Sequence, residues 1–340
     1  MSNFSKEDKI IAFSLLGDFL RLPNPAFINV INNAQNHNAW FTPTEVNKAV
    51  TALGNMLNKS DLIQWLSKHP ENTNPQNVGL VLAGNLPLVG FHDVLCVLAS
   101  ENKAFIKLSS QDNQLLIAVL YQLFIIEPRF KPLVNIVFKL ENFNAIIATG
   151  SNNTSRYFDH YFGQVPNIIR KTRNTVAVLT GNETAQELHL LGNDIFSYFG
   201  LGCRNVSKLF VPEGYVFNFF FESIESFNPI INHHKYNNNY DYNKSIYLVN
   251  KVPHLDNGFL LLTQNNALYS PLAALYYQTY SNLNDVENLL SQVAQSIQVV
   301  VSNVKLSTNV AVVIFGESQN PKLWDYADGV DTMEFLAELG

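Results

Sequence analysis

The 340-residue sequence has little cysteine, little charge and no long hydrophobic run. Its two cysteines, Cys96 and Cys203, are too few and too far apart for the disulfide framework of a small secreted domain. Charged residues make up 15% of the chain and the net charge is −6, which gives no general reason for nucleic-acid or membrane-surface binding. The longest apolar run, residues 115–126, is too short to span a bilayer. We therefore expect a cytoplasmic protein with no nucleic-acid partner and no stable membrane insertion.

The common phosphate-binding motifs are also missing. No G-x-G-x-x-G follows the first predicted strand, and no G-x-x-x-x-G-K-[ST] occurs. What stands there instead is IATGSNNTSRYF (147–158), in which Gly150 and Ser151 open a helix and present backbone N–H groups to an anion. An ordinary helix start is the alternative interpretation. The pair His233-His234 has no third ligand at a suitable spacing, so no metal site is expected.

Two helical segments come first in the chain. Ile11, Leu15 and Phe19 recur at helical spacing, and we expect them to form the face of a surface helix that docks on the core. Residues 42–68 are predicted to form another helix, which begins with an N-cap at Thr42. With 47% hydrophobic residues the chain can bury a substantial core.

Strands and helices alternate from residue 78 onward, and a second alternating block begins near residue 175. In the first block the predicted strands are 78–83, 104–108 and 145–149, and the predicted helices are 88–100 and 111–126. This order predicts an α/β fold in which helices cover both faces of parallel sheets. Ligands of such sheets bind at the carboxyl ends of the strands, in the loops that open the helices.

Two polar side chains stand at positions where chemistry is expected. Asn85, in LAGNLPLVG (82–90), follows the first predicted strand and either faces a ligand or caps the next helix. Cys203, in GLGCRNVSKLFVP (200–212), lies between glycine-rich backbone and a strand. Its thiol is either exposed near N–H donors that favour the thiolate, or it is a small buried hydrophobe. Cys96 lies in the apolar segment FHDVLCVLA and is expected in the core.

Taken together, these segments resemble the acyl-CoA reductase family of bacterial bioluminescence, a divergent branch of the aldehyde dehydrogenase superfamily. GLVLAGNLPL and VLASENKAFIKLSS are similar to the strand, Asn-x-Pro turn, helix and Lys-ending strand of the superfamily. IATGSNNTSRY resembles its Thr-Gly-Ser cofactor turn, and GLGCRNVSKLFVP resembles its catalytic cysteine segment. LWDYADGVDTMEFL resembles a C-terminal segment of the reductase branch. The resemblance covers the chain from about Val78 to the C-terminus.

The resemblance implies an aldehyde-dehydrogenase-like fold in three parts. Residues 1–174 would hold the N-terminal helices and a nicotinamide-dinucleotide-binding domain. Residues 175–305 would form the catalytic domain that carries the cysteine. Residues 306–340 would pack back at the domain interface. A homo-oligomer is also expected on the resemblance alone.

The implied reaction is the NADPH-dependent reduction of a fatty acyl-CoA thioester to the aldehyde. Cys203 would be the nucleophile that takes the acyl group, and Asn85 with the Cys203 backbone N–H would form the oxyanion hole.

The implied cofactor contacts come from two strand ends. Lys107, with Ser109 and Ser110, would hold the adenosine ribose and a 2′-phosphate of NADPH. Gly150 and Ser151 would approach the pyrophosphate or the nicotinamide.

The sequence departs from the aldehyde-oxidising relatives at two places. Val178 or Leu179 is expected at the position of the Glu that activates water to hydrolyse the acyl-enzyme, and Glu183 comes a few residues late. In ALYSP (267–271), Ala267 stands where the resemblance implies the Glu that contacts the nicotinamide ribose.

The same motifs are compatible with two other functions. The chain could act as a CoA-acylating aldehyde dehydrogenase or on an acyl phosphate, because the motifs fix neither the direction nor the acyl donor. It could also be a non-catalytic relative that binds a ligand or a partner on the inherited fold.

Overall fold

The computed structural model describes residues 4–69, 72, 74–150 and 152–339. The chain divides into two compact units, Met1–Thr172 with Pro321–Gly340, and Arg173–Asn320. The first unit is therefore discontinuous in sequence. Residues 306–320, which we expected in the C-terminal part, lie in the second unit because a strand at Val312–Val313 joins the sheet there.

The first unit begins with a layer of helices. Their bounds are α1 Lys6–Arg21, α2 Pro25–Asn33, α3 Pro43–Met56 and α4 Lys59–Ser67. The N-cap predicted at Thr42 is confirmed, since its Oγ1 accepts a hydrogen bond from the Glu45 N–H. The single helix predicted over 42–68 is interrupted, however, because Asn58 accepts from the Asp61 N–H and starts a new helix.

The face predicted for α1 is wrong at Ile11 and Leu15, which are 44% and 48% exposed, whereas Phe19 is half-buried and packs against the core. The fully buried apolar side chains of α1 are instead Ala12, Phe13, Leu16 and Leu20. The two sets lie on adjacent stripes of one apolar helix, so the spacing alone does not say which stripe meets the core.

The sheet of the first unit is parallel, in the order β3-β2-β1-β4-β5. Its strands are β1 Asn77–Val81, β2 Lys103–Lys107, β3 Val134–Ile136, β4 Ala145–Thr149 and β5 Asn167–Arg170. The helices that follow its strands are α5 Phe91–Ala99, α6 Leu115–Ile126 and α7 Asn152–Phe162. The predicted strand–helix alternation is confirmed here, with boundaries that differ by a few residues.

The second unit is built on a larger sheet in the order β12-β11-β6-β7-β10-β9-β8. Its strands are β6 Asn174–Val178, β7 Val206–Pro212, β8 Leu255–Asp256, β9 Leu261–Gln264, β10 Ala274–Tyr280, β11 Ile297–Val301 and β12 Val312–Val313. All neighbouring strands run parallel except β8 and β9. The helices in this unit are α8 Ala185–Phe196, α9 Asn218–Ser223, α10 His234–Val249 and α11 Leu283–Gln292.

Both faces of this second sheet are covered, as an α/β fold requires. One face packs against Leu191 of α8 and Phe220 of α9, and the other packs against Val286 and Leu290 of α11. The Asn-rich segment at residues 233–244 forms most of α10. Its Tyr236 and Tyr240 are buried.

The C-terminal residues complete the first unit. Helix α12 (Thr332–Ala337) packs against α5. The Arg170 guanidinium donates to Asp93 at 2.6 Å, to the Ala327 carbonyl at 2.7 Å and to the Thr332 hydroxyl at 2.9 Å. Burial would lower the pKa of Arg170, but Asp93 holds it above its usual value.

Among the described residues, no helix combines the length and the apolar character needed to cross a bilayer.

Candidate functional site

Three adjacent strand ends carry the sequence-predicted residues of the first unit. The β1 residue Val81 pairs with Lys107 of β2 on one side and with Ala148 of β4 on the other. Because the strands are parallel, the turns at Asn85, Ser109 and Gly150 all leave the same carboxyl edge of the sheet. The structure therefore brings these predicted residues to one edge.

The turn that carries Asn85 is held by the neighbouring turn after β2. A methyl group built on Gly84 would lie 2.4 Å from the Ser109 Oγ, so only glycine permits this approach. The Leu88 N–H, at a left-handed φ of 58°, donates to the Asp112 carboxylate at 2.7 Å. Burial raises the pKa of Asp112 to about 6. The Asn85 side chain itself is exposed.

The predicted cofactor residues sit beside this turn. Lys107 and Ser110 are exposed and Ser109 is half-buried. Within the described ranges, the Lys107 ammonium forms no ion pair or side-chain hydrogen bond, so it is available to an anion. Gly150 packs against α7, where an added methyl group would lie 2.9 Å from the Phe158 ring. Ser151 lies outside the described residues.

Cys203 lies in the second unit, in the loop just before the amino end of β7. It is exposed, whereas Cys96 is fully buried in α5 and burial raises its thiol pKa well above the usual value. The Thr175 hydroxyl at the start of β6 donates to the Cys203 carbonyl at 2.8 Å. The backbone of Cys203 is thereby fixed while its side chain faces outward.

A run of left-handed backbone leads into this loop. Tyr198, Phe199 and Gly200 have φ values of 53°, 59° and 78°. The left-handed conformation costs about 1–2 kcal/mol at each non-glycine residue. The Phe199 ring is buried against the ring of His233 with a centroid distance of 4.2 Å. Packing of the aromatic side chains offsets part of this strain and holds the bend.

The buried amide of Asn205 joins both ends of this bend. Its Oδ1 accepts from the Gly202 N–H at 2.8 Å, immediately before Cys203. Its Nδ2 donates to the Ser197 carbonyl at 2.8 Å, and also lies 3.1 Å from the Asp194 carbonyl. One side chain thus fixes the entry and the exit of the left-handed run.

Asp194 connects the same region to the loop after β12. It is fully buried, and its carboxylate accepts from the Gly316 N–H at 2.6 Å and from the Ser318 N–H at 3.0 Å. Burial raises the pKa of Asp194 to about 6, although these hydrogen bonds oppose the shift. The Ser318 carbonyl in turn lies 3.4 Å from the Arg204 guanidinium, next to Cys203.

The expected equivalence of Val178 or Leu179 to the Glu of the aldehyde-oxidising relatives stays a prediction. Thr175 lies beside Cys203, and Leu179 follows four residues later, about 13 Å away along an extended strand. Both apolar side chains are fully buried. The Glu183 carboxylate is held in the turn beyond them, where it accepts from the Thr180 hydroxyl and the Gly181 N–H.

Ala267 lies in a loop that crosses to the start of β7. The Ser207 hydroxyl donates to the Leu268 carbonyl and the Lys208 ammonium donates to the Asn266 carbonyl, each at 2.8 Å. Ala267 is exposed between these two anchors. Ser207 and Lys208 lie in β7, a few residues after Cys203 in the sequence.

The predicted site residues fall in separate units. Asn85, Lys107, Ser109, Ser110 and Gly150 belong to the first unit and Cys203 to the second. The oxyanion hole expected from Asn85 and the Cys203 backbone N–H therefore stays a prediction.

Sequence reasoning missed the polar residues that hold these turns, namely Thr175, Asn205, Asp194 and Asp112. The signal for Asp194 is a carboxylate inside the apolar stretch of α8. Thr175 and Asp112 have no signal, because their partners Cys203 and Leu88 lie 28 and 24 residues away. The partners of Asn205 lie within 11 residues, but no regular local pattern marks them.

The fold is shared with solved aldehyde dehydrogenases. Aldehyde dehydrogenase 21 from Physcomitrella patens, in complex with succinate, is 11% identical with a TM-score of 0.68, covering 98% of this chain and 84% of that one. The NADP-dependent glyceraldehyde-3-phosphate dehydrogenase from Bacillus halodurans, complexed with NADP, is 13% identical with a TM-score of 0.64, covering 91% and 78%. The aldehyde dehydrogenase KauB from Pseudomonas aeruginosa is 10% identical with a TM-score of 0.64, covering 91% and 76%.

No protein-family model and no curated protein sequence matches this chain. At these identities the solved structures establish the fold. The predicted α/β, aldehyde-dehydrogenase-like architecture is confirmed over most of the chain.

Proposed function

We propose that this protein is a cytoplasmic, NADPH-dependent acyl-CoA reductase that forms an acyl-enzyme on Cys203. The observation that carries the proposal is the exposed thiol at a strained bend, fixed by the buried amide of Asn205, on an aldehyde-dehydrogenase-like fold. Strained backbone that its surroundings hold in place is concentrated at active sites. A buried structural cysteine would need neither the exposure nor the bend. The homo-oligomer expected from the resemblance belongs to the same proposal.

The residues at the carboxyl edge of the first unit fit a phosphate-bearing dinucleotide. The Lys107 ammonium, free of side-chain partners in the described ranges, would bind a ribose or its 2′-phosphate together with Ser109 and Ser110. The backbone at Gly150 opens α7 and would approach the pyrophosphate. When bound, NADPH supplies the hydride for the reduction.

The chain's own groups account for the other steps. The Cys203 thiolate attacks the thioester carbonyl, the new S–C bond forms, and the CoA thiolate leaves with its electron pair. The side-chain amide of Asn85 would donate a hydrogen bond to the tetrahedral oxyanion, both during acylation of Cys203 and after hydride transfer. Collapse of the reduced adduct breaks the S–C bond and releases the aldehyde and the Cys203 thiolate. Each oxyanion donor is typically worth about 3–4 kcal/mol of barrier.

Intact-mass spectrometry after mixing with a long-chain acyl-CoA, without nicotinamide, tests the proposal. The wild type should gain one acyl mass, and Cys203→Ala should gain none. Cys96→Ala is the matched control and should still be acylated. An adduct formed only from an acyl phosphate would replace the donor in the proposal. No adduct from either donor would favour the non-catalytic alternative.

A further inference from the structure

A cleft of about 340 Å³ lies at the carboxyl end of β10 in the second unit. Residues 278–281 form one wall, one side of α11 from Asp285 to Gln292 forms the other, and Phe210 of β7 also lines the cleft. Tyr280 pairs with Pro212 at the carboxyl end of β7, whereas Cys203 precedes the amino end. The length of β7 separates the two by roughly 20 Å, so this cleft lies outside the cysteine site.

A fully buried lysine lies behind the wall of the cleft. The Lys208 Nζ donates to the Gln278 Oε1 at 2.7 Å and to the Asn266 carbonyl at 2.8 Å, and lies 5.0 Å from the centroid of the Phe210 ring. These partners are all uncharged. No carboxylate of the described residues forms an ion pair with Lys208. Burial lowers the pKa of this ammonium to about 8, so it still carries its charge at neutral pH.

A buried charge without a counter-ion is costly, and an anion in the adjacent cleft would relieve that cost. Gln278 both accepts the hydrogen bond from the Lys208 ammonium and lines the cleft, so it connects the buried charge to the ligand position. Because the Gln278 Oε1 is turned to Lys208, its Nε2 donors are the groups left for a ligand. The ammonium polarises these donors and makes them stronger partners for a negatively charged oxygen.

The other groups of the cleft limit the charge and the chemical class of the anion that can bind. Two exposed carboxylates, Asp285 on α11 and Glu213 bonded to Ser281, lie at the rim and repel a dianion more than a monoanion. Leu289, which is half-buried, offers apolar surface that a hydrocarbon chain covers and a phosphate does not.

We propose that this cleft binds a small monocarboxylate whose carboxylate lies against Gln278 over the buried charge of Lys208 and whose hydrocarbon chain lies on Leu289. The proposal does not depend on the reductase function, because it uses neither Cys203 nor the residues of the first unit.

Saturation-transfer NMR and calorimetric titration of the intact protein with butyrate test this site. Butanol serves as the uncharged analogue and inorganic phosphate as the alternative anion. Butyrate should bind at least about tenfold more tightly than butanol, as expected for a charge interaction at low effective dielectric constant. Lys208→Met, which keeps the length and removes the charge, should abolish the difference between butyrate and butanol.

Two variants of exposed residues test the site if Lys208→Met does not fold. Asn288 and Asn284 are exposed asparagines one turn apart on α11, and only Asn288 lines the cleft. Asn288→Glu should weaken butyrate binding several-fold, while Asn284→Glu leaves it nearly unchanged. The proposal would be overturned if butanol or phosphate bound as tightly as butyrate or more tightly. It would also be overturned if Asn288→Glu and Asn284→Glu weakened butyrate binding equally, or if no butyrate bound at tens of millimolar.

Discussion

At the scale of single residues, the cysteine loop depends on groups that never touch a substrate. Asn205 satisfies the Gly202 N–H and the Ser197 carbonyl, and Thr175 satisfies the Cys203 carbonyl. An unsatisfied buried polar group costs about 1–3 kcal/mol, so these side chains make the bend the stable arrangement. Their role is to position the thiol.

Asn205→Ala should slow acylation by about 10²-fold, because a misplacement of the nucleophile by an ångström has an effect of that size. Alkylation by iodoacetamide, which needs no oriented substrate, should change little. Asn205→Asp keeps the acceptor for Gly202 but places oxygen against carbonyls, and should be worse than alanine. Asn182→Ala, at an exposed position, is the control. Equal losses in acylation and alkylation would argue against positioning.

Asn85→Ala tests the oxyanion role. Losing one donor should slow acylation by about 10²–10³-fold and leave the adduct detectable at long times. Rapid-quench mass spectrometry measures the rate, and iodoacetamide alkylation of Cys203 should be unaffected. Acylation at the wild-type rate would show that another group stabilises the oxyanion.

At the scale of elements, helix ends are where local sequence and structure can be compared most directly. Just beyond α10 and its C-cap Asn250, Lys251 has a φ of 53°. The Val252 N–H donates to the Tyr247 carbonyl at 2.8 Å, and the Lys251 N–H donates to the Leu248 carbonyl at 3.2 Å. This is the hydrogen-bond pattern that glycine usually completes. Lys251 is exposed, so its side chain contributes little there.

Lys251→Gly should stabilise the end of α10 by about 1 kcal/mol, because glycine removes the left-handed penalty. Hydrogen exchange of a peptide over residues 244–252 should slow. Asn250→Gly, one position earlier at a φ of −86°, has no such penalty to remove and should speed exchange. The same response to both substitutions would contradict this account.

The sequence predicts elements better than it predicts contacts. The strand–helix alternation and the cap at Thr42 are local patterns. The stripe of α1 that meets the core, the helix formed by the Asn-rich segment, and the position of Leu179 relative to Cys203 depend on packing between distant segments. In the last case the parallel direction of β6 and β7 decides which end of β6 meets the cysteine loop.

At the scale of the whole molecule, the described part of each unit buries one carboxylate whose pKa is raised to about 6, Asp112 in the first and Asp194 in the second. A folded pKa above the unfolded value adds stability that is fully present at acid pH and is lost as pH rises through about 6. The largest contribution is about 3 kcal/mol for each group.

The first unit should therefore become less stable between pH 5 and pH 7.5, and Asp112→Asn should flatten that slope by about 1–2 kcal/mol. The three tryptophans, Trp40, Trp65 and Trp324, all lie in this unit, so urea unfolding followed by their fluorescence reports on it alone. Asp194→Asn should leave this signal's pH dependence unchanged. A slope that Asp112→Asn does not alter would show that Asp112 is not its source.

The discontinuity of the first unit has a consequence for synthesis on the ribosome. Arg170 and Trp65 emerge early, but their partners Ala327, Thr332 and Tyr326 emerge only after the whole second unit. The second unit is continuous in sequence and can fold while the first unit still lacks its C-terminal residues. At that stage the Arg170–Asp93 ion pair has not yet formed its contacts with Ala327 and Thr332. We therefore expect the nascent chain to complete its second unit before its first, so that the incomplete first unit is the stage at which a chaperone would be needed most.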